Sequence, residues 1–413
     1  MNPNHPAAAR QPGLPQVLIL LSCVCFAVLA SAIIGPVLPQ IEAHFKDVPQ
    51  VKTLIPIVVT LPMLVLGVLG IVIGAAADRV GRKRMFVAGL GLYAVCGTAP
   101  LYLDSLPLIL VSRFGVGLAE AAIMTCSTTL IGDYWSGTRR DKYMALQTTF
   151  ASVSAVIFNT LGGVLGEQGW RAPFGVYGLS LVLLPLVMLY IWDTRRNPQG
   201  EAQAAANDAP GLVFNPALVA WTCVTGFLAG VVFMVMPVHL AYMLVDVGTR
   251  SPQQIGLAYA LNSAGIALGT LVFGWLIVGR LRVAHQFTLA AVIVAAGFWL
   301  MGSAQSYASM TVGAVVNGFG CGIMLPAAVT WNMRVLPFAR RGVGAGAFLS
   351  LHFIGYFVSP LLLMPLVEML GKRAQAVEVL ALAIVGVAVL TLLAGFRRPQ
   401  AGASRQAFVQ GRS

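Results

Sequence analysis

The sequence predicts an all-α polytopic membrane protein: twelve transmembrane helices in two six-helix pseudo-symmetric halves. Three observations carry this. Apolar residues make up 58% of the 413 and charged residues only 10%, whereas soluble chains carry about 25% charge; so few charges cannot cover a water-facing surface. Apolar runs long enough to cross a bilayer, about 20 residues each, recur twelve times. The basic residues then fall in alternate loops, 19 of the 26 on one side of the membrane, six on the other and Arg113 within a span. That asymmetry places the richer side, with both termini, in the cytoplasm. The net charge of +12 is therefore a topology device, and no nucleic acid is expected as a partner.

Taken in order, residues 1–15 form a Pro-rich tail with one arginine, Arg10. The apolar run at 16–38 is about twice the length of a signal-peptide core, so it is expected to stay as the first helix. Spans follow at 53–76, 85–103, 107–131, 142–165 and 173–192, closing a first half at 16–192. Residues 193–215 are polar and Ala-rich and are read as a linker without chemistry. The second half, 216–396, holds spans at 216–243, 254–277, 286–303, 308–333, 343–366 and 375–396, and a tail runs over 397–413. Nothing is left for a soluble domain. Backbone groups in lipid must be satisfied within the segment, which makes each run a helix.

The halves repeat at an offset near 200 residues. Pro36-Val37 matches Pro237-Val238, Gly74 matches Gly274, and Arg139-Arg140 matches Arg340-Arg341. Arg113-Phe-Gly-Val-Gly117 parallels Gly318-Phe-Gly-Cys-Gly322. Such repeats set a binding site at mid-membrane between halves that rock about it.

Between helices two and three stands Gly74-Ala-Ala-Ala-Asp78-Arg79-Val-Gly81-Arg82-Lys83-Arg84. The glycines permit a tight turn and close helix approach. Asp78 can face the positive end of a neighbouring helix, and Arg82 can pair with a carboxylate. Positive-inside bias explains the arginines but not the acid. The second-half copy, Gly274-Trp-Leu-Ile-Val278-Gly279-Arg280, has valine for that acid, so any latch there must be weaker or different.

Arg113 and Glu120 lie within helix four, and Glu120 is the one acid of fourteen that maps to mid-membrane. Seven residues is close to two turns, so both side chains share a face, about 10.5 Å apart along the axis. Helical side chains lean toward the N-terminus, so a direct ion pair needs strain and a water or substrate between them is easier. Charges in a bilayer cost about 2.5–3.5 kcal/mol or more, which makes both functional candidates. Glu120 either carries a moving proton or is a protonated group bonded between helices. Asn159 in helix five either lines a cavity or ties helices together. His352 in helix eleven either titrates near neutral pH or serves as a hydrogen-bonding partner, and His239, Asn317, Asn332 and Asn262 are weaker candidates. The six cysteines lie in apolar runs and read as packing residues. No nucleophile–base pair, metal set or ATP loop is visible, so the chain is not read as an enzyme.

The loop at 74–84 resembles the cytoplasmic loop motif of the major facilitator superfamily, and Arg113-x-x-x-Gly117 resembles that superfamily's fourth-helix motif. The likeness spans about residues 16–396 and is best to bacterial twelve-helix drug/proton antiporter-like members. Those carry Gly-Pro-x-x-Gly-Gly in helix five, where this chain has Asn159-Thr160-Leu161-Gly162-Gly163. The resemblance implies a latch of Gly74, Asp78, Arg79, Gly81 and Arg82 with Asp133 and the helix start at 342–346. That latch would hold the outward-facing state and release on inward opening. It further implies a monomer in a bacterial inner membrane that binds a small molecule and protons and needs no cofactor beyond the proton gradient. The expected function is proton-coupled efflux of a small amphipathic molecule. Import of a nutrient such as an organic acid is the alternative, and a non-transporting sensor the remote one.

Overall fold

The computed structural model describes residues 11–193, 215–337 and 341–397. Most of the two expected tails, 1–10 and 398–413, and of the expected linker, 194–214, lies outside the described residues. The described chain is helical, with no strand.

The first span, α1 (Leu14–Ala32), breaks at Gly35-Pro36 into a 3-10 turn and a short helix, Leu38–His44. Proline removes a ladder donor, so a break there follows from sequence. Next come α2 (Val51–Val80), α3 (Arg82–Thr98), α4 (Leu106–Tyr134) and α5 (Gly137–Gly166). A 3-10 segment, Ala172–Leu179, leads into α6 (Ser180–Tyr190). The second set is α7 (Pro216–Asp246), α8 (Pro252–Val272), α9 (Val283–Gly302), α10 (Tyr307–Val335), α11 (Arg341–Leu370) and α12 (Arg373–Arg397). Eleven segments are long and apolar enough to cross a membrane on the described residues alone, and α12 is the twelfth long helix. A π turn, Phe273–Ile277, ends α8 where the second loop copy has lost its acid.

Two large apolar clusters form the interior. One gathers residues of α1–α6 with a few from α7, and the other is built from α7–α12. Large apolar side chains such as Ile71, Val95, Leu189 and Trp275 face outward, as a lipid-facing belt requires.

The two sets of helices meet through α5 against α8 and through α2 against α11. These pairs exchange under the 200-residue repeat. The α5/α8 seam is built on glycine. A Cβ on Gly163 would stand 2.6 Å from the Pro252 oxygen, and one on Gly256 would stand 2.6 Å from the Asn159 oxygen. Only a residue without a side chain lets the backbones come this close. The fifth-helix run singled out in the sequence is thus the seam between the halves.

Hydrogen bonds across the seam cluster at the end away from the basic loops. Asn159 Nδ2 donates to Ser263 Oγ at 3.1 Å. The carboxylate of Glu167, just past α5, accepts from Ser251 Oγ at 2.5 Å and from Gln253 N at 3.1 Å. Glu167 so caps the N-terminus of α8 from the other half. These hydrogen bonds hold its carboxyl below the usual carboxylate range, so the cap is ionised at neutral pH. On the basic face, among the described residues, α4 and α5 make no more than glancing contact with α10 and α11. The halves are thus joined by α5/α8 at the end away from the basic loops and parted between α4/α5 and α10/α11 at the other, which leaves a cleft on the basic face.

Candidate functional site

The site grows out of α4. Arg113 is fully buried, and its Nη2 donates to the carbonyls of Cys96 at 2.9 Å and Gly97 at 3.0 Å. Those carbonyls belong to the last turn of α3, which has no intrahelical donors of its own. A cation at the negative end of a helix dipole is favoured. The guanidinium also lies over the rings of Phe174 and Tyr177, 5.1 and 5.0 Å from their centroids, a cation–π arrangement. Among the described residues its Nε and Nη1 have no hydrogen-bond partner.

Glu120 sits at the centre of α4, 1% exposed, and both carboxyl oxygens are without a hydrogen-bond partner among the described residues. Tyr93 and Tyr177 do not supply one. Their hydroxyls are committed to α1, donating to Phe26 O at 2.7 Å and Ala30 O at 2.9 Å. The interior of α1–α6 therefore holds a buried acid and a buried cation, each with unfilled hydrogen-bonding capacity, on one helix face. A polar atom left this way costs about 1–3 kcal/mol, more when charged. Neither group stands open to the cleft in this conformation. The acid is inside its own bundle of helices rather than on the wall between the halves.

The loop motif is assembled at the basic face. Arg82 joins α2 to α4: its Nη1 bonds Asp133 and its Nη2 donates to Asp78 at 3.2 Å. Gly74 lies against Thr125 of α4, and Arg79 is exposed. Asp78 has hydrogen bonds only with Arg82 among the described residues and is largely exposed. The expected partner helix start falls at 342–346. The side chain environment of Gly342 lies outside the described residues, Val343 is exposed, and nothing packs on Gly346. The described part of that pairing is apart in this conformation.

One residue here escaped the sequence reading. Asp193, placed in a linker without chemistry, accepts from the backbone N–H of Lys83 at 2.8 Å and lies against Gly81. Gly81 has φ 103°, a left-handed conformation that disfavours any side chain. It also has no side chain with which to cap α3, so the carboxylate after α6 caps that helix instead. Lys83 Nζ adds a bond to Met188 O at 2.6 Å. The motif loop is thus fastened to both α4 and the end of α6.

The remaining candidates separate. Asn159 ties α5 to α8 and is a link between the halves. Asn317 donates to Val294 O, Asn262 donates to Ala314 O, and Asn332 accepts from Thr222, all within α7–α12. His239 is buried with neither ring nitrogen bonded among the described residues. His352 links α11 to α7, with Nδ1 2.8 Å from Gly226 O and Nε2 3.1 Å from Tyr356 Oη. The six cysteines are unpaired, and no metal-binding cluster occurs among the described residues.

The family model described as Major Facilitator Superfamily matches residues 20–360 and, in a second match, 233–412. The chain belongs to the Major Facilitator Superfamily. It is a membrane transporter and not an enzyme. As a member of that superfamily it shares 28% identity over 343 residues with the 3-(3-hydroxy-phenyl)propionate transporter of Escherichia coli K12, 79% of this chain and 81% of that one. It shares 24% identity over 350 residues with the multidrug efflux protein YfmO of Bacillus subtilis, 83% of each chain. Among solved structures, the inward-open xylose transporter XylE of E. coli aligns with a TM-score of 0.72 and 14% identity, over 91% of this chain and 95% of that one. That structural likeness shows the fold alone. Superfamily membership makes the substrate a small molecule. The relatives include exporters and a transporter of an aromatic acid, so the direction of transport does not follow from membership.

Proposed function

We propose that this chain is a proton-coupled exporter of a small amphipathic molecule, working by alternating access in a bacterial inner membrane. The observation that carries the reading is Glu120: a mid-span carboxyl, 1% exposed, with neither oxygen bonded among the described residues. A carboxyl in that setting has a use for a proton, and in one orientation of the halves it must be reached by water to exchange it. The buried guanidinium of Arg113 one face-length away sets the field in which that proton sits. Each charge carried through 100 mV is worth about 2.3 kcal/mol, so one proton per cycle drives useful export with no cofactor beyond the gradient. The protein acts as a monomer, with both termini cytoplasmic. The basic face is then inside, and the conformation described above is inward-facing with its outer end closed by α5/α8.

One observation favours a second reading, proton-linked uptake of an organic acid. The relative at 28% identity is named for a phenylpropionate. In that case Arg113 is not the group that grips the carboxylate, because it is buried under the end of α3. The test is substrate movement in proteoliposomes under an imposed pH gradient. Export predicts that substrate leaves the compartment corresponding to the cytoplasm as protons enter, and that a protonophore abolishes the accumulation. Accumulation in the same direction as the protons selects uptake. Movement indifferent to the gradient removes proton coupling.

A further inference from the structure

The wall of the cleft carries its own recognition chemistry on α11. One arc of α11 is spent on α7: Ser359 Oγ donates to Val231 O at 2.7 Å, and His352 Nδ1 lies 2.8 Å from Gly226 O. A second arc, at Ser350, Phe353 and Ile354, lies against Gly67 of α2. A third, at Leu362 and Met369, is exposed in the direction of lipid. At 100° per residue, the arc left over carries Leu349 and Tyr356, seven residues apart, and it faces the gap between the halves. Leu349 is 44% exposed, although its helix is packed on both sides, and Tyr356 is half-buried. The ring of Tyr356 stacks on Phe233 at 5.3 Å and 17° and meets Phe353 edge-on at 5.7 Å. Phe233 and Tyr356 thus form an aromatic shelf where α7 and α11 meet the first half, Tyr356 packing against that half's core.

The hydroxyl at the tip of this shelf has a fixed sense. A backbone carbonyl can only accept, so His352 Nδ1 carries the proton that bonds Gly226 O. In neutral histidine the other ring nitrogen is then an acceptor. Tyr356 must donate its one hydroxyl proton to His352 Nε2, at 3.1 Å. What Tyr356 has left for the cleft is lone pairs only, and no donor among the described residues fills them.

We infer that Tyr356, oriented by His352, is a substrate-selecting residue: the cleft binds planar, largely apolar molecules that bring an O–H or N–H donor to the Tyr356 oxygen. The stacked rings of Phe233 and Tyr356 supply the apolar surface, and the hydroxyl supplies the discrimination. The inference deepens the transport reading above and rests on it, but it does not involve Glu120.

The probe pair is 7-hydroxycoumarin and 7-methoxycoumarin, which share one ring system and differ only at the 7-oxygen, O–H in one and O–CH3 in the other; the Tyr356→Phe comparison separates the lost donor from the added methyl. Binding is measured by fluorescence to full-length protein in lipid nanodiscs, against empty nanodiscs, at a pH where the phenol is un-ionised. Wild type is expected to bind the hydroxy compound about tenfold more tightly. Tyr356→Phe keeps the ring and the fold, and is expected to lower the hydroxy compound to the level of the methoxy compound while leaving the latter unchanged. His352→Ala frees the Tyr356 hydroxyl to donate, and is expected to raise affinity for the methoxy compound. Equal binding of the pair by wild type, binding of neither, or an equal loss of both in Tyr356→Phe overturns the assignment. In wild type, a preference for the hydroxy compound beside transport indifferent to an imposed pH gradient would discard the proton reading alone, and equal binding of the pair beside gradient-driven transport would discard Tyr356 alone.

Discussion

Replacing Arg113 with leucine is expected to destabilise the protein by about 3–5 kcal/mol, the cost of removing one partner from a buried charged network. Two losses add in the same direction. The carbonyls of Cys96 and Gly97 lose their donor at the end of α3. Phe174 and Tyr177 lose the cation between them. Lysine is expected to recover only part of this, because one ammonium cannot bond two carbonyls and lie flat over two rings as a guanidinium does. The measurement is the thermal midpoint and monodisperse yield in one detergent. A leucine variant as stable as wild type would mean that the guanidinium does not hold α3 to α4.

The second large effect is expected at the seam. Gly256→Val would put a branched side chain where a Cβ alone stands 2.6 Å from Asn159 O and 2.8 Å from Gly163 Cα. Overpacking of this kind costs about 1–3 kcal/mol, and here the cost falls only on the conformation with the outer end closed. A bias of about 3 kcal/mol lowers that population about 100-fold. Transport is expected to fall by a similar factor, while the protein still folds and inserts. Spin labels at Gln168 and Gln254, both exposed on the outer side, are expected to report a longer distance in the variant. An unchanged distance with normal transport would show that α5 and α8 do not gate the outer end.

The architecture was legible because lipid leaves the backbone few options. Run length, proline position and basic loops place all twelve helices to within several residues. The burial of Arg113 and Glu120 was legible from residue type and position alone. The roles of other residues depended on which helix meets which, and periodicity does not encode that. Asn159 read equally as cavity wall or tie until α8 placed Ser263 beside it. Asp193 looked like the start of a polar linker. Its function as the cap of α3 needs α6 to return beside Gly81, although an α3 start without a capping side chain was a sequence-level hint that an outside acid was required. The missing proline of the drug-exporter motif was read as a departure in the fifth helix. The structure shows an unbroken α5 whose glycine pair still serves as the contact surface. His352 read either as a titrating group or as a hydrogen-bonding partner, and its bonds to Gly226 O and Tyr356 Oη fit the second reading, though which partners it would meet was not legible.

The central claim is that Glu120 carries the coupled proton. Its most direct test is the simultaneous recording of proton and substrate flux in proteoliposomes holding wild type or Glu120→Gln, with labelled-substrate counterflow measured in the same preparations. The account predicts that wild type moves protons in fixed proportion to substrate. The glutamine variant is expected to keep counterflow, lose the linked proton movement and lose its response to an imposed pH gradient. Proton movement linked to substrate and unchanged in Glu120→Gln would contradict the account.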